Sequence, residues 1–107
     1  MSAYELRTYQ IAPDKMLDIE EVMRALVQPI MPDHNMEGIG YWAKPDGTVF
    51  YYIVRHRDVE GIASDWDSFH ADSRWKMGMA ERKGKEPIVL HVESDPLLGI
   101  PGLPPQQ

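Results

Sequence analysis

Residues 48–57, T-V-F-Y-Y-I-V-R-H-R, decide the predicted fold because their pattern is that of a β-strand with two apolar faces. Successive side chains of a strand point to opposite faces of the sheet. The alternation places Val49, Tyr51, Ile53 and Arg55 on one face, and Phe50, Tyr52, Val54 and His56 on the other. A sheet built around this strand needs a cover on both faces, because a large apolar surface in water is unfavourable.

Three further strands are predicted from β-branched and aromatic residues between turn signals. They span residues 3–11, 36–43 and 87–95. The short turn K-P-D-G at 44–47 makes the second and third strands an antiparallel hairpin. Gly38 and Gly40 indicate a bulge or a close backbone approach in the second strand. Alternation in the fourth strand predicts an apolar face of Ile88, Leu90 and Val92.

Two helices are predicted from apolar residues at spacings of three and four. The first begins after Asp14, a candidate N-cap, and ends near Pro29 and Pro32. Its apolar stripe consists of Met16, Ile19, Met23, Leu26, Val27 and Ile30. The second spans 59–82 as one helix, and Gly78 or Gly84 marks a break or its end. Its apolar face consists of Ile62, Trp66, Phe69 and Ser73, with Asp65 mostly off that face.

The order of these elements, β-α-β-β-α-β, predicts the ferredoxin-like class of α+β fold. One four-stranded antiparallel sheet would carry both helices on one face. The simplest cover for the other face is a second copy of the chain, packed sheet on sheet with two-fold symmetry. We therefore predict a homodimer through the sheet faces.

Composition bounds the function classes. The chain of 107 residues predicts one domain at 1–95 followed by a proline- and glycine-rich tail at 96–107. Its formal charge of −6 argues against general binding to nucleic acid or to anionic membranes. It has no cysteine, which excludes disulfides and thiol catalysis. No signal peptide or transmembrane segment is recognisable, so a cytoplasmic location is expected.

The first strand places Glu5, Arg7 and Tyr9 on one face. As catalytic residues, Arg7 could bind a carboxylate or an enolate, and Tyr9 could act as a donor or an acid. The structural interpretation is that Glu5 and Arg7 pair with each other or across a dimer axis. We favour the structural interpretation, with this face on the dimer side, where the pair would fix the register of two sheets.

Two motifs resemble the NIPSNAP family, namely Y-E-L-R-T-Y at 4–9 and H-A-D-S-R-W at 70–75. The family pattern at the second motif is close to A-D-P-x-W, so Ser73 stands where a proline is common. The resemblance covers about residues 3–96 and implies a dimeric α/β barrel in which two ferredoxin-like subunits join their sheets. It implies no single reaction, because related barrels include cofactor-free monooxygenases, haem-degrading enzymes, lactone isomerases and stress proteins.

The resemblance also implies a ligand site, because related barrels hold ligands in a cleft between helices and sheet. His70 could line such a cleft as a general base, with Asp67 three residues earlier as its partner and with Arg7 or Tyr9 stabilising an anion. The predicted ligand-binding residues are Trp66, Tyr52, Trp42 and Met77. The structural interpretation is that Trp66 is a core residue and His70 a boundary residue.

No cofactor or metal is predicted, because the chain lacks the spacings of nucleotide-binding loops and of histidine metal sites. The sequence thus predicts a NIPSNAP-like homodimer that binds a small hydrophobic or aromatic ligand. One alternative is a cofactor-free monooxygenase or isomerase with His70 as base. Another is a non-catalytic protein-interaction domain.

Overall fold

A four-stranded antiparallel sheet with helices on one face confirms the predicted ferredoxin-like fold. The computed structural model describes residues 2–82 and 85–105. The elements in chain order are β1 (Ala3–Ile11), α1 (Met16–Val22), α2 (Gln28–Ile30), β2 (Met36–Ala43), β3 (Val49–His56), α3 (Ile62–Ala71), α4 (Ser73–Ala80) and β4 (Val89–Leu98). The strand order in the sheet is β2-β3-β1-β4, so β1 and β3 are the central strands.

The first helix is continuous but irregular. A π-helical turn, Met23–Val27, joins α1 to α2, and a 3-10 turn follows at Met31–His34. Pro29 has no N–H and its ring would collide with the carbonyl four residues earlier in a regular α-helix. The wider turn precedes this proline, and the N–H of Gln28 donates to the carbonyl of Met23. The proline therefore changes the helix without ending it.

Asp14 is not the N-cap of α1, contrary to the prediction. The N-cap is Lys15, which gives no side-chain hydrogen bond, and Asp14 has a φ of 64°. Aspartate tolerates this left-handed conformation better than most residues, so here it serves the turn between β1 and α1.

The second predicted helix is two helices, with the break at Asp72. Asp72 is extended, with φ −67° and ψ 132°, and its carboxylate accepts a hydrogen bond from the backbone N–H of Arg74. It is thus the N-cap of α4. Gly78 lies inside α4, so a break there is wrong, and Gly84 lies outside the described residues.

Two bulges set the register of the sheet. The predicted irregularity in β2 is confirmed between Gly38 and Gly40. The second bulge lies between β1 and β4, where Gln10 pairs with His91 and Ile11 pairs with Val89. Leu90 has no partner in β1 and is 63% exposed. The predicted apolar face that contained Leu90 is therefore wrong, because strict alternation fails at a bulge.

The core lies between the sheet and the helices. Its buried members come from every layer, and they include Ile19, Val22, Val27, Ile30, Phe50 and Phe69. β4 pairs with β1 as far as Leu98, so strand pairing continues beyond residue 95. No helix among the described residues is long and apolar enough to cross a membrane.

Candidate functional site

Glu5 is the centre of a hydrogen-bond network on the helix side of the sheet. It lies in β1, it is 1% exposed, and its carboxylate accepts four hydrogen bonds. Oε1 accepts from the indole N–H of Trp66 at 2.7 Å and from Nε2 of His56 at 2.8 Å. Oε2 accepts from Arg7 at 2.9 Å and from the hydroxyl of Ser94. The network therefore joins α3 to three strands.

The predicted placement of Glu5, Arg7 and Tyr9 on the dimer side is wrong. Trp66 of α3 contacts Glu5, and the guanidinium carbon of Arg7 lies 4.3 Å from the centroid of its ring. These contacts require the helix side. The residues of β3 that share this face include Tyr52, which is fully buried.

His56 is held between two carboxylates. Its Nε2 bonds Glu5, and its Nδ1 lies 2.9 Å from Oδ2 of Asp65 in α3. Ionised carboxylates only accept hydrogen bonds, so both ring nitrogens carry protons and the ring is an imidazolium. Burial alone would lower the pKa of His56, but the bonds to Glu5 and Asp65 outweigh it and the pKa is raised.

Charges therefore alternate along Asp65, His56, Glu5 and Arg7, which we call the charge chain. Its formal sum is zero. Burial alone would raise the pKa of Glu5, but hydrogen bonds from His56, Ser94 and Trp66 and the charge of Arg7 lower it to about 2. The carboxylate is thus ionised at neutral pH in spite of its burial, because the network compensates its lost hydration.

Two tyrosine hydroxyls accept hydrogen bonds from Arg7, the last residue of the charge chain. Arg7 donates to the hydroxyl of Tyr52 at 2.9 Å and to the hydroxyl of Tyr9 at 3.2 Å, and the two hydroxyl oxygens are 2.7 Å apart. Burial raises the pKa of Tyr52 well above its usual range. Within residues 2–82 and 85–105, every buried side-chain nitrogen and oxygen has a hydrogen-bond partner. The burial of these polar groups is therefore compensated by hydrogen bonds.

A cleft of about 710 Å³ lies between the first helix, α4 and β4. Its walls are mainly apolar and include Ile19, Val22, Val27, Trp75, Ile88 and Val89. Tyr9 lines the cleft and also belongs to the network, so its hydroxyl is held in place by Arg7 and Tyr52. A site with apolar walls and a few fixed polar groups is typical of small-molecule binding.

A second cavity of about 400 Å³ lies on the β2 side of the first helix. Tyr41, Trp42, Phe50 and Gln28 are among the residues that line it. Met23 lines this cavity and the cleft as well, and it is the first residue of the π-helical turn. A flexible thioether side chain thus borders both spaces.

The other residues predicted for the site do not lie together. Trp42 lines the second cavity. A third cavity of about 420 Å³ lies beside Met36 and Arg57. Met77 is 67% exposed on α4 and lines none of the three cavities. Trp66, Tyr52 and His70 also line none of these cavities. Trp66 and Tyr52 belong instead to the network.

His70 is exposed and packs on aromatic rings. Its ring stacks on Trp66, with centroids 5.9 Å apart, and lies 5.8 Å from Trp75. Burial and the charge of Arg7 lower its pKa, against the opposing charge of Asp67. A lowered pKa favours the neutral ring, the form that a general base requires.

The H-A-D-S-R-W segment has a structural role. Besides capping α4, Asp72 accepts from Arg74 and lies 2.8 Å from Nε2 of His34, whose Nδ1 is bonded to Ser68. Ser73 is the first residue of α4, the position at which proline is favoured in helices. The segment therefore ties the end of the first helix to the junction of α3 and α4.

Sequence reasoning missed Asp65, Ser94 and the role of His56. The signal for His56 was present, because alternation already put it on the face of Tyr52, and β1 neighbours β3 in a ferredoxin-like sheet. For Asp65 no local pattern was available, since its burial depends on how α3 rotates against the sheet.

Comparison with known proteins now decides the family, because the NIPSNAP family model matches residues 4–102. The chain belongs to the NIPSNAP family. A search of curated proteins gave no match.

Solved NIPSNAP structures share this fold at low sequence identity. A family protein of unknown function from Agrobacterium tumefaciens is 19% identical, with a TM-score of 0.78, over 96% of this chain and 92% of that one. A second A. tumefaciens member is 18% identical, with a TM-score of 0.80, over 99% and 100% of the two chains. An uncharacterised NIPSNAP-like domain protein from Burkholderia xenovorans is 20% identical, with a TM-score of 0.76, over 99% and 91%. At such identities the likeness shows the fold alone.

Proposed function

We propose that this NIPSNAP protein binds a small hydrophobic or aromatic ligand in the cleft between the first helix, α4 and β4. The observation that supports this most is the apolar cleft of about 710 Å³, which is lined in part by Tyr9, a member of the network. Volumes of roughly 300–1,000 Å³ are typical of small-molecule sites. The charge chain has the supporting role of positioning Tyr9.

Two methionines of α4 provide a matched test. Met79 lines the cleft and is 39% exposed, whereas Met77 lines none of the three cavities and is 67% exposed. We expect Met79→Glu to weaken the binding of an uncharged apolar fluorescent probe such as N-phenyl-1-naphthylamine by about ten-fold, because a carboxylate enters an apolar wall. Met77→Glu should change it less than two-fold. Equal effects of the two variants would refute a site in this cleft.

We also propose that the protein is a homodimer through the outer face of the sheet. Leu6, Tyr51 and Ile53 lie on this face, half-buried in the single chain, beside the largely exposed Trp42. A second copy would remove this apolar surface from water. The uncovered apolar surface on this face is the support for the proposal.

Light scattering tests the assembly. We expect about twice the chain mass of 12.3 kDa. Ile53→Lys should shift the protein to monomer, because a charge would be buried in the interface. Leu17→Lys is the control, because Leu17 lies on α1 and is already 78% exposed. A wild-type monomer at micromolar concentration would refute the dimer.

A catalytic function with His70 as base, and with Arg7 and Tyr9 stabilising an anion, has narrower support. The lowered pKa of His70 favours it. Against it, His70 lines none of the three cavities, and Arg7 is already engaged by Glu5 and two tyrosines. Oxygen uptake with phenolic substrates that disappears in His70→Ala would favour catalysis, and no uptake in the wild type would remove it.

A further inference from the structure

We infer that the ligand of the cleft is an amphipathic carboxylate, with its anionic group at Arg82 and Lys85 and its apolar body inside. This inference rests on the proposed function and names the chemical class of the ligand. Arg82 and Lys85 both line the cleft at the end where α4 stops and the chain returns to β4. They are the cationic residues of its lining.

Both cations lack an anionic partner within the part of the chain that the structure describes. Arg82 is half-buried and Lys85 is exposed, and neither forms an ion pair among the described residues. The acidic residue of the lining, Glu86, is 3.5 Å from the ammonium of Lys15. The edge of the cleft therefore carries a local excess of positive charge in a chain whose formal charge is −6.

A half-buried guanidinium beside an apolar wall is suited to one particular kind of ligand group. Its planar set of donors matches the two oxygens of a carboxylate. The apolar walls formed by Ile19, Val22 and Val89 leave few other polar groups for a ligand, so the rest of the molecule must be apolar. Glu86 at the same edge disfavours a doubly charged group, which favours a carboxylate over a phosphate.

Naphthoate and the neutral naphthylmethanol form a matched pair of ligands for calorimetry. We expect the wild type to bind naphthoate more tightly and to lose that advantage as salt is added, because screening weakens exposed charge pairs. Arg82→Gln should weaken naphthoate about ten-fold, as expected for a hydrogen bond to a charged group, and should leave naphthylmethanol within two-fold. Lys85→Gln should cost about two- to five-fold, because Lys85 is exposed.

Lys76→Gln is the control, since Lys76 is an exposed lysine of α4 that does not line the cleft. It should leave naphthoate binding unchanged. Equal affinity for the acid and the alcohol would overturn the inference, as would equal losses in Arg82→Gln and Lys76→Gln. If neither ligand binds, the proposed cleft function itself fails. The salt dependence of the wild type provides a test that does not rely on any variant.

Discussion

Replacing Glu5 by glutamine is the sharpest test of the charge chain. The glutamine side chain would keep the shape of the glutamate but lose its charge and one of its two acceptor oxygens. His56 and Arg7 would then face only Asp65, which leaves one uncompensated positive charge in the core. Several donors, including the indole N–H of Trp66, now converge on the carboxylate. In the variant, the donors on one side would face the amide N–H₂ group, which is itself a donor and cannot accept their hydrogen bonds.

The expected loss in the free energy of unfolding can be estimated in two ways, from the pKa of Glu5 and from the typical cost of breaking a buried ion pair. The pKa of Glu5 falls from 4.5 to about 2 on folding. At about 1.36 kcal/mol for each pKa unit, the ionised carboxylate contributes about 3 kcal/mol to the free energy of unfolding at neutral pH. Breaking a buried ion pair by removing one partner costs about 3–5 kcal/mol. The two routes therefore agree on a loss of about 3 kcal/mol.

Urea denaturation followed by tryptophan fluorescence measures the loss. With a slope of about 1–3 kcal/mol/M, the midpoint of Glu5→Gln should fall by roughly 1–3 M at an unchanged slope. Glu37→Gln is the control, because Glu37 forms an exposed pair with Arg55 and should contribute less than about 1 kcal/mol. Equal protein concentrations are needed, because dimerisation would add to stability. If the free energy of unfolding of Glu5→Gln lies within about 0.5 kcal/mol of the wild-type value, the charge chain does not stabilise the fold.

Three further outcomes can be measured. The free energy of unfolding should rise between about pH 2 and 5 as Glu5 ionises. It should fall above about pH 6.5 as His56, whose pKa is raised in the folded state, loses its proton. Urea midpoints that do not change with pH would contradict this. Ser73→Pro should stabilise the protein by about 0.4–1 kcal/mol in thermal unfolding, because proline is favoured at the first residue of α4, and a lower Tm would show that the backbone there does not suit it. Met23→Ala should join the two cavities and shift binding toward longer alkyl carboxylates in calorimetry, at a cost of about 2–5 kcal/mol in stability; an unchanged length preference would show that Met23 does not separate them.

Local patterns were enough to predict that four strands exist, although β4 runs Val89–Leu98 and not 87–95. β1 and β2 begin and end where the sequence predicts, because alternation and turn residues act over a few positions. The bulge opposite Leu90 could not be predicted in this way, since it depends on how β4 pairs with β1. The break at Asp72 could not be located from the local pattern, because Asp67 and Ser68 form the same residue pair inside α3 without a break.

The candidate site was predicted in part. Tyr9 lines the cleft, although the sequence favoured the dimer side for its face. Arg7 was considered with Glu5, and the pair is real, but its face was wrong because alternation cannot say which face the helices cover. The cations Arg82 and Lys85 gave no pattern of their own in the sequence. Their position follows from the path between α4 and β4, which only the folded chain defines.

The charge chain limits which substitutions this protein can tolerate at its four positions. Asp65, His56, Glu5 and Arg7 balance only as a set, so replacing one member leaves a buried charge without compensation. Replacing all four with well-packed apolar residues could be neutral or even stabilising, as for other buried ion pairs. A designer who varies these positions should therefore treat them as one unit of substitution, because routes through single replacements pass through poorly folded intermediates.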